Sequence, residues 1–129
     1  MTQTLLENAL IAEMLNIPDT WVIFDAKKKG NEVWIFLRPK ETPLSDNLKT
    51  EVLRHLEVFG NKTYLKLYYS TEEEINKLPI YTASGFCKPF VMDVNKMFGT
   101  ATDASICNLY GLTRQELENI KKECTNILS

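Results

Sequence analysis

The sequence predicts an α+β fold with a small, partly antiparallel three-stranded sheet. Two segments rich in Trp, Val, Ile and Phe, residues 20–27 and 32–38, flank a turn sequence at residues 28–31 and predict a β-hairpin. Alternating apolar and polar residues at 63–70 predict a third strand, reached by a crossover connection. Amphipathic segments bounded by capping and stop residues predict helices before, between and after these strands.

The first two predicted helices follow from apolar periodicity. Residues 3–16 carry a wide apolar face and end before Pro18, which disfavours a helical residue ahead of it. A second helix, capped by Thr42 or Ser45, is predicted to end at Gly60. This helix would supply the crossover connection between the hairpin and the third strand.

The second strand of the hairpin is predicted to be central in the sheet. Residues 33–37 are apolar at every position, as expected of a strand that is covered on both faces. We therefore expect Val33, Ile35 and Leu37 to be buried.

The remaining elements are helices. Thr71 and Glu74 match a capping box and predict a short acidic helix after the third strand. Residues 79–88 are predicted to form a loop, and Pro89 opens a further helix that ends at Gly99. We expect a single domain over residues 1–129, with a sheet-containing core at 1–80 and C-terminal helices at 88–129.

Residues 102–128 predict a helix-turn-helix-like corner. Thr102 caps a helix that Gly111 ends, and Thr113 with Glu116 forms a second capping box that opens the last helix. Two helices joined by a short turn that contains Gly are typical of DNA-reading proteins, although the same corner can simply close a core. If the corner reads DNA, its candidate contact residues are Thr113, Arg114, Gln115, Glu118, Lys121 and Lys122.

Part of the same region resembles a known family. NLYGLTRQELENI at residues 108–120, INKLPI at 75–80 and PFVMDVNKMF at 89–98 are similar to the closing segment of adenine-specific DNA methyltransferases and restriction–modification enzymes. The chain lacks that family's asparagine–proline–proline–tyrosine and glycine-rich cofactor motifs, so methyl transfer is not carried over. The resemblance implies a fragment of a target-recognition or helper module.

Charge is unevenly distributed along the chain. The net charge is −2, but residues 27–40 hold five basic residues and one acidic residue. Lys27, Lys28, Lys29 and Arg38 are therefore candidate phosphate contacts, although a solvated hairpin tip has the same composition. Tyr64, Tyr68, Tyr69 and Tyr81 are candidates for a stacking or protein-binding surface, or for covering the sheet edge.

Catalytic and metal sites are weakly indicated. Asp19, Asp25 and Lys27, with Glu7 or Glu13 on the preceding helix, partly resemble the acid and lysine set of Mg²⁺-dependent nucleases. However, Asp19 and Asp25 flank one strand and would be about 20 Å apart. The three cysteines, Cys87, Cys107 and Cys124, have no standard zinc spacing and are expected to be reduced thiols. We predict no cofactor, no metal and no catalytic residue.

The sequence thus predicts a non-catalytic DNA-binding accessory or regulatory protein, linked to restriction–modification or mobile elements and bound to duplex DNA. The alternative is a protein-interaction module that binds a larger partner, and the third hypothesis is a metal-dependent nuclease-like domain. No apolar run approaches the roughly 20 residues of a membrane helix, and residues 1–10 lack the features of a signal peptide. A cytoplasmic protein without membrane contact is expected.

Overall fold

The computed structural model describes residues 11–58 and 60–128, and its sheet has four strands. The strands are β1 (Trp21–Lys29), β2 (Glu32–Pro39), β3 (Lys49–Val58) and β4 (Asn61–Tyr69). Their order in space is β1-β2-β4-β3, with β2 and β4 parallel and the outer pairs antiparallel. The α+β class is confirmed, whereas the predicted three-stranded sheet is one strand short.

Helices follow the sheet along the chain. They are α1 (Glu72–Asn76), α2 (Lys88–Asn95), α3 (Asp103–Tyr110) and α4 (Arg114–Leu128). Residues 11–14 are also helical, in agreement with the end of the helix predicted over 3–16, whose residues 3–10 lie outside the described part of the chain. None of the described helices combines the length and apolar character that crossing a membrane requires.

The segment before Gly60 is a strand, so the helix predicted there is wrong. β3 buries Leu53 and His55, whereas Val52 is exposed and Arg54 is only partly buried. This alternation and the backbone pairing with β4 are those of an extended chain. The apolar residues of this segment fit a helical period as well as a strand period, and the backbone hydrogen bonds to β4 decide between them. Gly60, with φ of 75°, lies in the turn that joins β3 to β4.

The predicted hairpin is present and lies where the sequence places it. β1 and β2 pair from Trp21 opposite Pro39 to Lys29 opposite Glu32, with one bulge between Ile23 and Asp25. β2 lies between β1 and β4, so its central position is confirmed. Its core-facing residues differ in burial, because Ile35 and Leu37 are buried whereas Val33 is only partly so.

Two clusters of buried side chains hold these elements together. The first lies on one face of the sheet and combines strand residues such as Ile35 and Leu65 with Leu15 and with Ile75 of α1. The second lies among α2, α3 and α4 and includes Phe90, Val91, Val94, Ile106, Leu117 and Ile120. Arg54 of β3 joins the two parts, because its N–H donates to Gly85 at 3.0 Å and its carbonyl accepts from Cys87 at 2.9 Å.

The local signals at the helix ends are confirmed. Thr71 and Glu74 form the predicted capping box of α1, and the Thr102 hydroxyl caps α3. Gly111 ends α3 in the left-handed conformation, with φ of 67°. Thr113 and Glu116 then exchange hydrogen bonds of 2.9 and 3.1 Å at the start of α4. The use of this helical corner to read DNA stays a prediction.

Candidate nucleic-acid interface

The two faces of the sheet differ in composition. In β4, Thr63, Leu65, Leu67 and Tyr69 are buried against the first core, and the residues between them are only partly buried. On that second face the strand register and the ring contacts bring together aromatic and basic residues, which we call the basic-aromatic face: Phe24, Lys27, Lys29, Trp34, Phe36, Lys62, Tyr64, Lys66 and Tyr68.

A row of four side chains crosses this face at right angles to the strands. The register places Lys27 opposite Trp34, Trp34 opposite Tyr64, and Tyr64 opposite Arg54. The Trp34 and Tyr64 rings are stacked, with centroids 4.7 Å apart and an interplanar angle of 18°. Each outer neighbour of the stacked pair is a cation, so the row reads cation, ring, ring, cation.

A second aromatic group lies next to this row. The Phe24 ring meets Tyr68 edge to face at 5.3 Å and lies 6.2 Å from Phe36. The Lys27 and Lys66 ammonium groups lie 5.5 Å from the ring centroids of Phe36 and Tyr68 respectively. Because these lysines rest against ring faces, their charges are held beside the aromatic groups at distances typical of cation–π contacts.

The local charge of the face is positive although the protein as a whole is acidic. Four lysines belong to it, against the acids Asp25 and Glu32 on the same part of the hairpin. Asp25 lies 3.9 Å from the Lys27 ammonium, and Glu32 accepts a 3.2 Å hydrogen bond from the Trp34 indole N–H. Both hairpin acids therefore interact with residues of the basic-aromatic face.

The face continues into a cleft of about 400 Å³ beside the helical part. Lys62 and Tyr64 line it on the sheet side, and Glu116 and Asn119 of α4 line it on the helical side. Arg54 closes its base: the guanidinium donates to the Gly111 carbonyl at 3.4 Å and lies 5.0 Å from the Phe90 ring centroid.

The hairpin residues predicted as phosphate contacts occupy different positions. Lys27 and Lys29 are exposed and belong to the basic-aromatic face. Lys28 is exposed but alternates to the other face, opposite Val33 of the first core. The guanidinium of Arg38 donates to the carbonyls of residues 39, 40 and 42, at 3.0–3.4 Å, and so fixes the loop after β2.

The predicted contacts of the helical corner are largely engaged with each other. Arg114 and Lys121 both pair with Asp103, at 3.6 and 2.8 Å. The hydrogen bond from Lys121 lowers the pKa of Asp103, so this carboxylate stays charged. Gln115 donates to Asn119 at 3.0 Å, and the Thr113 hydroxyl caps α4. Lys122 is exposed.

The four tyrosines predicted to share one surface lie on both faces of the sheet. Tyr64 and Tyr68 belong to the basic-aromatic face, whereas Tyr69 is buried and Tyr81 packs against the first core. The Tyr81 hydroxyl donates to Glu51 at 3.4 Å, and burial together with the neighbouring carboxylate raises its pKa to about 12. These two tyrosines therefore have a structural role.

The residues considered for metal or thiol chemistry are dispersed. In the described ranges, no group of three or more His, Cys, Asp and Glu side chains is placed to hold a metal ion, and Glu7 lies outside those ranges. Cys87, Cys107 and Cys124 are free thiols, and burial raises the pKa of Cys87 above its usual value.

Several members of the basic-aromatic face were not singled out from the sequence. The parallel pairing of β2 with β4 brings Lys62 and Lys66 beside Phe24 and Phe36 of the hairpin, and so joins segments that are distant in the chain. The alternation of residues 62–68, in which Lys and Tyr occupy every second position, is the signal that points to this face.

Comparison of the chain with protein-family models, with curated proteins and with solved structures finds no match.

Proposed function

We propose that this protein is a non-catalytic DNA-binding accessory or regulatory protein and that it contacts DNA through the basic-aromatic face. The observation that carries the proposal is the row in which Lys27 and Arg54 flank the stacked rings of Trp34 and Tyr64. Lysines neutralise phosphates and release counterions, while aromatic rings offer contact area to bases and sugars. The face combines both properties on one side of a rigid sheet.

The composition of the face favours DNA over a protein partner. Protein interfaces are enriched in aromatic residues but depleted of lysine. Here four lysines accompany five aromatic rings, and two of the ammonium groups lie within 5.5 Å of a ring centroid. A protein partner would have to desolvate these charges, whereas a phosphate backbone compensates them.

The sequence resemblance to the closing segment of adenine-specific DNA methyltransferases supports the same partner. That resemblance implies a helper or target-recognition module, which is a DNA-contacting role without chemistry of its own. A link to restriction–modification or to mobile elements follows from it as part of this proposal.

Fluorescence anisotropy with labelled DNA at several salt concentrations tests the proposal. Each phosphate contact contributes about 0.7 to 0.9 to the slope of log K against log salt concentration. Replacing Lys27 and Lys66 with Gln removes two such contacts, so the slope should decrease by about 1.5 and the affinity should fall at low salt.

Lys28→Gln is the matched control, because Lys28 lies in the same strand, is also exposed and alternates to the opposite face. It should leave the slope almost unchanged. An equal effect of Lys28→Gln and Lys27→Gln would show that only general charge matters, and no binding of any DNA at low salt would overturn the proposal.

A further inference from the structure

Resting on the proposed function, we infer that the basic-aromatic face binds single-stranded DNA and that unpaired bases stack on its rings. The reason lies in the partly exposed rings of this face. Trp34, Phe36, Tyr64 and Tyr68 all keep part of their surface in solvent on this face. In a duplex the flat faces of the bases are occupied by neighbouring bases, so protein rings can stack only on bases that have left the helix.

The width of the sheet argues against a duplex groove. Four strands spaced about 4.8 Å apart span about 14 Å between the outer strand axes, before side chains are added. The major groove of B-DNA is about 12 Å wide and admits a helix or a two-stranded ribbon. β1 and β3 flank the central strands on either side, so the sheet as a whole is too wide to enter the major groove.

The spacing of the rings fits an extended single strand. Trp34 and Phe36 are two residues apart on β2 and therefore lie about 7 Å apart along the strand. Stacked nucleotides rise only about 3.4 Å per residue. Neighbouring bases can therefore occupy the two ring positions only if the DNA strand is stretched and its own stacking is broken.

The charged groups beside the rings complete this arrangement. The Lys27 and Lys66 ammonium groups lie 5.5 Å from the ring centroids of Phe36 and Tyr68, so each can turn from the ring to a phosphate when a base takes its place. The helical corner offers less to a duplex, because Arg114 and Lys121 already pair with Asp103.

Tryptophan fluorescence provides the direct test. Trp21 is buried with 6% of its surface exposed, so a Trp21→Phe protein that remains folded reports on Trp34 alone. Titration with an oligothymidylate of about 15 nucleotides should quench this emission, because a base stacked on the indole ring changes its surroundings. A blunt duplex hairpin and an oligouridylate of equal length serve as competitors, and we expect the duplex hairpin to bind at least tenfold more weakly.

Substitutions at the rings separate stacking from charge. In anisotropy titrations with labelled oligothymidylate, Trp34→Leu should weaken binding by about tenfold, which is within the range of one lost base–aromatic stack. Trp34→Phe should restore part of the affinity. Tyr64→Leu should also weaken binding. Tyr81→Leu is its matched control, since Tyr81 is a partly buried tyrosine on the core side. Unchanged melting temperatures must accompany these results, and Trp34→Phe covers the case in which Trp34→Leu does not fold.

The outcomes distinguish this inference from the function on which it rests. Salt-dependent duplex binding that needs Lys27 and Lys66 but is insensitive to Trp34→Leu would overturn the inference and leave the proposed function standing. Preference for oligouridylate would replace DNA by RNA and overturn both. Absence of binding to every probe would likewise overturn both.

Discussion

Leu53 and Val52 provide a sharp test of β3, the element in which structure and sequence disagree. Leu53 is fully buried, whereas its neighbour Val52 is 40% exposed. A strand alternates in this way, but a helix with its apolar face over residues 48–56 would bury both side chains. We therefore expect Leu53→Ala to destabilise the protein strongly and Val52→Thr, an exposed β-branched replacement, to change its stability little.

The expected cost follows from the burial. Leu53→Ala removes three buried carbon atoms, which at about 0.8 kcal/mol each amounts to about 2.4 kcal/mol before any cavity is counted. The cavity raises the loss to about 3 kcal/mol, within the range for such changes. Val52→Thr should stay within about 0.5 kcal/mol, as surface substitutions generally do.

Urea denaturation followed by tryptophan emission measures both effects. For an m-value of about 2 kcal/mol/M, Leu53→Ala should lower the midpoint by about 1.5 M, and Val52→Thr should shift it by less than about 0.3 M. Similar losses for the two variants would contradict the alternation of β3. Negligible losses for both would contradict its pairing with β4.

Other predictions concern pH and the helix ends. Burial lowers the pKa of His55 below 6.5, and its Nε2 has no hydrogen-bond partner within the described ranges. The unfolded chain therefore binds the proton more tightly than the folded protein, so stability should fall as the pH drops below about 6.5. In His55→Phe the melting temperature should depend less on pH between about pH 7.5 and pH 5. Burial would raise the pKa of Glu74, but hydrogen bonds from Thr42 and residues 70–71 lower it to about 2. A second loss of stability should therefore appear as the pH falls from about 4.5 to 2, and it should be absent in Glu74→Gln. Gly111→Ala forces a side chain into the left-handed conformation and should cost about 1 kcal/mol in urea denaturation, an expectation that an unchanged midpoint would refute.

The features that the sequence predicts correctly are local ones. The hairpin depends on a turn at Gly30 and on two short apolar segments beside it, and the capping boxes at Thr71 and Thr113 span four residues each. In each case the residues that cooperate are close in the chain, so their pattern is visible without knowledge of the fold.

The features that the sequence does not predict depend on distant pairing. The apolar residues around Leu53 fit two periods, and the choice of a strand depends on hydrogen bonds to β4. Trp34 and Tyr64 are likewise 30 positions apart, and only the parallel register of β2 and β4 stacks their rings. The candidate interface could therefore be recognised in part, from its lysines and tyrosines, but not assembled from the sequence alone.

The distribution of charge bears on the proposed DNA binding, because the net charge of the protein is negative. α1 carries the acids Glu72, Glu73 and Glu74, and its Ile75 packs into the first core, on the side of the sheet opposite the basic-aromatic face. At physiological ionic strength charges more than about 8 Å apart in solvent are largely screened from each other. A phosphate close to Lys27 or Lys66 is therefore attracted mainly by the lysines of the face, while DNA that approaches from the side of α1 is repelled. This uneven distribution of charge should direct DNA to a single face. Lowering the salt concentration should therefore raise the association rate constant more than it lowers the dissociation rate constant. Rapid-mixing fluorescence measures both rate constants.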